Sequence, residues 1–127
     1  NTPALATIVM AERQVRWLLQ RGGMDAVSAH CAQASSLIYD WAQANLAARP
    51  FVDNPAWRSP VTATIEIDEA ANASELAAHL RVRGIVDIGA YRGVGANQLR
   101  IGTWPSVEIE DVEALLACID YCLEHAL

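Results

Sequence analysis

The sequence predicts an α/β (α+β) domain in which helices cover one face of a small mixed sheet, with an N-terminal helical hairpin alongside. Three observations carry this reading. Two long runs with helical apolar spacing are joined by Gly22-Gly23. Val61–Ile67 alternates apolar and polar residues without a fault, the mark of a half-buried strand. Ile85–Pro105 sets two short apolar runs, Ile85–Ile88 and Leu99–Ile101, on either side of a polar, glycine-rich loop.

Each element has a local cause. Thr2-Pro3 reads as a helix start, with threonine as cap and proline tolerated in the first turn. Leu5, Ile8 and Val9 recur as Val15, Leu18 and Leu19, which gives one apolar face of a long helix. Gly22-Gly23 ends that helix, because glycine accepts the left-handed dihedrals of a helix terminus. A second helix carries Val27, Cys31, Ala34, Ile38 and Trp41 on one face and folds back on the first. Pro50, Pro55 and Pro60 then punctuate an irregular connector, with a short edge strand expected at Phe51-Val52. Asn72 and Glu75 resemble a capping box opening a helix whose face is Leu76, Ala77 and Leu80; Gly84 closes it. The strand–helix–strand unit is expected to cross over right-handedly, and a hairpin through the glycine loop adds an antiparallel strand. The last helix crowds Glu108, Glu110, Asp111 and Glu113 at its start and buries Val112, Leu115, Leu116, Ile119 and Leu123.

Composition bounds the function. A chain of 127 residues, 53% hydrophobic, is expected to fold as one domain, residues 1–127, burying about two thirds of its unfolded surface. A formal charge of -6 argues against a nucleic-acid or anionic-membrane partner, both of which need a basic face. No apolar run approaches a membrane span. Three cysteines with no framework spacing suit a reducing, cytoplasmic interior. The chain opens at Asn1 without an initiator Met and runs at once into a helix, so a piece of a longer protein is expected. All nine basic residues are arginine, so chemistry that needs a lysine amine cannot be completed by these residues.

Two constellations could carry chemistry. Arg92 stands at the entry of the glycine loop and Arg100 within an apolar strand. An arginine amid buried residues is costly unless an anion partners it, so this is either an anion site or one half of an internal ion pair. Cys118, Cys122 and His125 share a helix face at spacings that could be read as half of a zinc site, but three such groups beside an apolar stripe are more often core or boundary residues. No metal is expected. His30 and Cys31 are adjacent and so point to different faces, a poor ligand pair.

Asn1-Thr-Pro-Ala-Leu-Ala-Thr, Gly22-Gly-Met-Asp, Arg58-Ser-Pro-Val-Thr-Ala-Thr-Ile and Gly84-Ile-Val-Asp, followed by Tyr91-Arg, Gly95 and Asn97-Gln-Leu-Arg-Ile-Gly, together resemble the phosphoserine aminotransferase family, in the form typical of actinobacteria. The order and spacing of these motifs carry the likeness, which runs over the whole chain but corresponds to the C-terminal third of such an enzyme. The resemblance implies the small domain of a fold-type I, class V aminotransferase that uses pyridoxal 5'-phosphate (PLP) and works as a homodimer. Such enzymes interconvert 3-phosphohydroxypyruvate plus glutamate with phosphoserine plus 2-oxoglutarate, in serine biosynthesis. It also implies that the Schiff-base lysine lies upstream, outside this chain, so that no catalytic residue is expected here and the chain alone is inactive. By position, Asn1 and Thr2 match the pair that reaches the cofactor phosphate of the neighbouring subunit. Arg100 matches the clamp for the substrate α-carboxylate, and Arg92 a residue that helps hold the distal phosphate or carboxylate. Tyr91 replaces a histidine of other branches, and Gly93 and Trp104 are further departures from the pattern.

Two other readings stay open. One is another class V enzyme, of the serine–glyoxylate or alanine–glyoxylate type, which shares the arginine but not the phosphate handle. The other is a non-catalytic amino-acid-binding module similar to an ACT domain, which would not require the N-terminal helical hairpin.

Overall fold

A computed structural model describes residues 2–92 and 97–125. In chain order the elements are α1 (Leu5–Gln20), α2 (Gly23–Ala44), β1 (Ala48–Pro50), β2 (Thr62–Ile67), α3 (Ala73–Arg81), β3 (Gln98–Gly102) and α4 (Ile109–Glu124), with a single 3-10 turn at Pro55–Trp57.

The helical hairpin forms where the glycines put it. Gly22 has φ +98° and Gly23 φ +75°, and a Cβ on Gly22 would sit 2.8 Å from the Cβ of Ala26, so both dihedral and space require glycine there. Thr2-Pro3 is not the cap. The helix opens at Leu5, with Ala4 in the capping position and the Leu5 N–H donating to the Pro3 carbonyl at 2.9 Å. Asn72 does cap α3, accepting from the N–H groups of Ser74 at 2.9 Å and Glu75 at 3.2 Å.

The sheet has the order β1-β2-β3 and is antiparallel at both pairings, not mixed as expected. Its edge strand is Ala48–Pro50, just before the expected Phe51-Val52; the Phe51 N–H continues the pairing to the Thr64 carbonyl at 3.1 Å. The expected strand at Ile85–Ile88 accounts for the missing parallel member. The segment does return beside β3, joined by the Gly89–Leu99 bridge and by the Arg100 N–H donating to the Ile88 carbonyl at 2.9 Å. It does not extend into a ladder, because Asp87 has φ +61°, a left-handed conformation that breaks an extended run. The Asp87 carboxylate forms an exposed pair with Arg81 of α3, at 3.1 Å.

Alternation then sorts the two faces of the sheet. Ala63, Ile65, Ile67, Leu99 and Ile101 are buried against Ile38 and Ala42 of α2, Leu76 and Leu80 of α3, and Val112, Leu116 and Ile119 of α4. The opposite face presents Thr62, Thr64, Glu66 and Arg100, all half-buried, with Arg49 exposed beside them. The helices thus cover one face, as the sequence predicts. Trp41 closes the seam between α2 and α4, its Nε1 donating to Asp120 Oδ1 at 2.9 Å.

The first helix departs from this economy. It packs against α2 but buries none of its own residues. Leu5, Ile8, Val9, Val15 and Leu19 are all more than half exposed. An apolar stripe of this kind on a 16-residue helix favours association with another surface. The 127-residue chain in isolation is therefore expected to self-associate in light scattering, and Ile8→Glu with Val15→Lys to restore a monomer. A monodisperse unsubstituted chain would show that the stripe is tolerated in water. Among the described residues no helix is long and apolar enough to cross a membrane.

Candidate functional site

The open face of the sheet carries an arginine, Arg100, that makes no ion pair among the described residues; Arg13 of α1 makes none either, but it is exposed on a helix surface. Arg100 pairs in register with Thr64, so its side chain emerges on the face away from the helices. Its guanidinium lies over the ring of Tyr91, 4.8 Å from the centroid. Among the described residues no carboxylate lies within ion-pair distance of it. The contrast with its neighbours is informative. Arg16 pairs with Glu12, Arg21 with Glu108 at 3.3 Å, Arg49 with Glu66 at 2.8 Å and Arg81 with Asp87 at 3.1 Å. Arg58 donates to the carbonyls of Val52 at 2.9 Å and Asp53 at 3.2 Å, and Arg83 to that of His79 at 3.0 Å. The internal ion pair that the sequence left open for Arg100 is not formed among these residues.

Arg92 is exposed and stands at the end of the described segment that Tyr91 belongs to. It too makes no ion pair among the described residues. Gly93 and Gly95 of the loop, like Asn1, lie outside the described residues. Thr2 is exposed ahead of α1, whose first turn carries no acidic side chain. The structure therefore brings Tyr91 and Arg100 together, while Thr2 lies ahead of α1, a helix that packs on α2. Beside Arg100, a depression of about 540 Å³ is lined by Ala77, Arg81, Asp87, Ile88 and Ala90.

The residue that sequence reasoning undervalued is Asn97. It appeared only as part of a motif, yet it ties the approach to β3 to the turn between β2 and α3. The two protons of its Nδ2 are shared among the carbonyls of Ile67 at 2.7 Å, Asp68 at 3.0 Å and Ala71 at 2.9 Å. Its Oδ1 accepts from the Ala73 N–H at 2.8 Å, and its carbonyl from the Ile67 N–H at 2.9 Å. Nothing in the local sequence could have shown this, because every partner but its own strand lies on another element. Trp104, half exposed, lies so close over Gly102 that a Cβ there would come within 2.7 Å of its Nε1, so a larger residue at that position would displace the indole.

The cysteine and histidine residues are used otherwise. Cys118 is exposed and Cys122 buried. His125 is turned back on its own helix, with Nδ1 2.8 Å from the Tyr121 carbonyl and its ring stacked on Tyr121 at 4.1 Å. His30 meets the Val107 carbonyl at 2.7 Å, and burial pushes the Cys31 thiol pKa up, keeping it a protonated core residue. Among the described residues no three His, Cys, Asp or Glu side chains converge on a metal position.

No protein-family model matches the chain. Individual proteins do match it over nearly its whole length. The phosphoserine aminotransferase of Rhodococcus jostii is 45% identical over 125 residues, which is 98% of this chain and 34% of that protein. The chain is a homologue of part of phosphoserine aminotransferase. It spans about one third of the length of such relatives. The solved phosphoserine aminotransferase of Bacillus circulans subsp. alkalophilus superposes with a TM-score of 0.85 at 28% identity, over 95% of this chain and 33% of that one. A PLP-bound phosphoserine aminotransferase from Trichomonas vaginalis shares the fold, with a TM-score of 0.78 at 20% identity over 94% of this chain and 34% of that one. Phosphoserine aminotransferase likeness thus extends over the helical hairpin as well as the strand that bears Arg100. An ACT-like module would not account for that hairpin.

Proposed function

We propose that residues 1–127 form the C-terminal small domain of a PLP-dependent phosphoserine aminotransferase, a cytoplasmic homodimer that acts on small amino acids and 2-oxo acids. The observation that carries this reading is Arg100, which stands on the open face of the sheet with no carboxylate partner among the described residues. A guanidinium offers two parallel N–H donors to a carboxylate, and phosphoserine and glutamate both present one at their reacting end. Arg100 binds that group and fixes the orientation of the substrate. Arg92, at the mouth of the glycine loop, binds the distal phosphate or carboxylate. PLP, when bound, supplies the electron sink for the amino transfer. On this chain only Asn1 and Thr2 would meet it, at its phosphate and across the dimer. Thr2 fits that role: an exposed hydroxyl just ahead of α1, with no acidic side chain in the first turn of α1 to repel an anion. No amine for the cofactor can come from this chain, which has no lysine. The exposed apolar stripe of α1 is, on this reading, covered by the rest of the enzyme.

The test is the substrate preference of the full-length protein. Transamination is expected with phosphoserine and 2-oxoglutarate in preference to serine or alanine with glyoxylate. A preference for glyoxylate would move the chain to the neighbouring class V enzymes and leave Arg92 without its distal phosphate.

A further inference from the structure

Three arginines among the described residues lie against an aromatic ring: Arg21 on Trp17 at 4.7 Å, Arg58 on Tyr39 at 4.9 Å and Arg100 on Tyr91 at 4.8 Å. In the first two the in-plane donors are also used. Arg21 reaches Glu108, and Arg58 reaches the carbonyls of Val52 and Asp53. Those stacks are struts within the fold. In the third the ring occupies one flat side of the guanidinium, while its N–H edges meet no protein acceptor among the described residues.

We propose that Tyr91 is a positioning residue for Arg100: it holds the guanidinium by its face, so that the edge stays free to fork a carboxylate. The proposal rests on the reading of Arg100 as the carboxylate clamp. Stacking on a ring is attractive to a cation yet consumes no N–H donor, whereas a carboxylate neighbour would fix the arginine only by occupying the fork. Tyr91 itself is 59% exposed, so it is not there to fill the core. Its backbone is placed beside β3 by the Ile88 carbonyl, which accepts from the Arg100 N–H, and by the Gly89–Leu99 bridge. The ring and the guanidinium it restrains are thus anchored to each other through the main chain. Any substrate that uses this fork gains from the restraint, whatever its distal group.

The experiment uses the full-length enzyme with Tyr91→Leu, Tyr91→Phe and Arg100→Lys. Tyr91→Leu is expected to raise KM for phosphoserine and for glutamate alike, by about two- to fivefold, with kcat little changed. Tyr91→Phe keeps the ring face and should behave as the unsubstituted enzyme. Equilibrium binding of α-methylglutamate, which cannot complete the transfer, should weaken by the same factor and gives a readout apart from turnover. The proposal is overturned if Tyr91→Leu leaves both KM values unchanged while Arg100→Lys weakens both substrates. It is likewise overturned if only phosphoserine is affected, since Tyr91 would then read the distal group, or if Tyr91→Phe is as poor as Tyr91→Leu, since the hydroxyl would then be the working part. A null result for Arg100→Lys sinks the clamp reading itself, and so is distinguishable from failure of Tyr91 alone.

Discussion

Arg100→Lys in the full-length enzyme is expected to cost about thirtyfold or more in kcat/KM, for phosphoserine and glutamate both. The substitution keeps the charge and removes the fork, replacing two parallel donors by one mobile ammonium. Truncating one partner of a buried charged pair costs about 2–5 kcal/mol, and this conservative exchange belongs near the lower end. At 1.36 kcal/mol per tenfold, about 2 kcal/mol gives the factor stated. Arg100 is only half-buried in this chain; desolvation by substrate and by the rest of the enzyme brings it into that regime. The cofactor spectrum should be unchanged, because Arg100 is assigned to substrate. Arg92→Lys should by contrast weaken phosphoserine more than an amino acid without a distal anion. Steady-state kinetics with both substrates and an absorbance spectrum check all of this. If Arg100→Lys strips the cofactor or spares both substrates, the clamp assignment is wrong.

The second large effect concerns stability. Asn97→Ala is expected to lower the unfolding free energy of the 127-residue chain by about 3 kcal/mol, read from urea denaturation with an unchanged slope. One amide here joins three carbonyls and one N–H from the turn that links β2 to α3. Two amide protons and one accepting oxygen amount to about three hydrogen bonds at about 1 kcal/mol net each, the one to the N–H of buried Ala73 being the costliest to leave unmade. Water admitted to the site recovers part of the loss, which keeps the total near the figure given. Asn97→Asp keeps the acceptor for Ala73 but sets a carboxylate against three carbonyl oxygens, so it should be no milder than alanine. A loss under about 1 kcal/mol for Asn97→Ala would mean that the turn holds itself together. Because Asn97 immediately precedes β3, the same variant in the full-length enzyme should also raise KM through misplacement of Arg100.

Much of this molecule is written in local pattern. Helical apolar spacing named Val27, Cys31, Ala34, Ile38 and Trp41 on α2 and Val112, Leu115, Leu116, Ile119 and Leu123 on α4; Trp41, Leu115 and Leu123 are half-buried at the margin of the core and the rest are buried. The alternation of β2 put Ala63, Ile65 and Ile67 on the core face and left its polar residues on the other. Gly22-Gly23 set the hairpin, and Asn72 the start of α3. These features are legible because backbone geometry repeats with a fixed period, so each residue's face follows from its neighbours in sequence. Arg100 stood out in the sequence as a charge between apolar neighbours, but the buried setting expected for it is not formed: alternation puts it half-buried on the open face.

What only the tertiary structure decided depends on which groups meet. Ile85–Ile88 has the composition of a strand, yet Asp87 adopts a left-handed φ and the ladder stops at one bridge. The apolar stripe of α1 is as regular as those of the buried helices, yet it faces water, since a pattern states that a face is to be covered and not by what. Asn97 binds groups from two elements that the chain reaches by different routes, and Tyr91 stacks on an arginine across the glycine loop. A hydrogen bond or a stack is a relation between two positions, fixed by the path of the chain between them, and no period in the sequence encodes it.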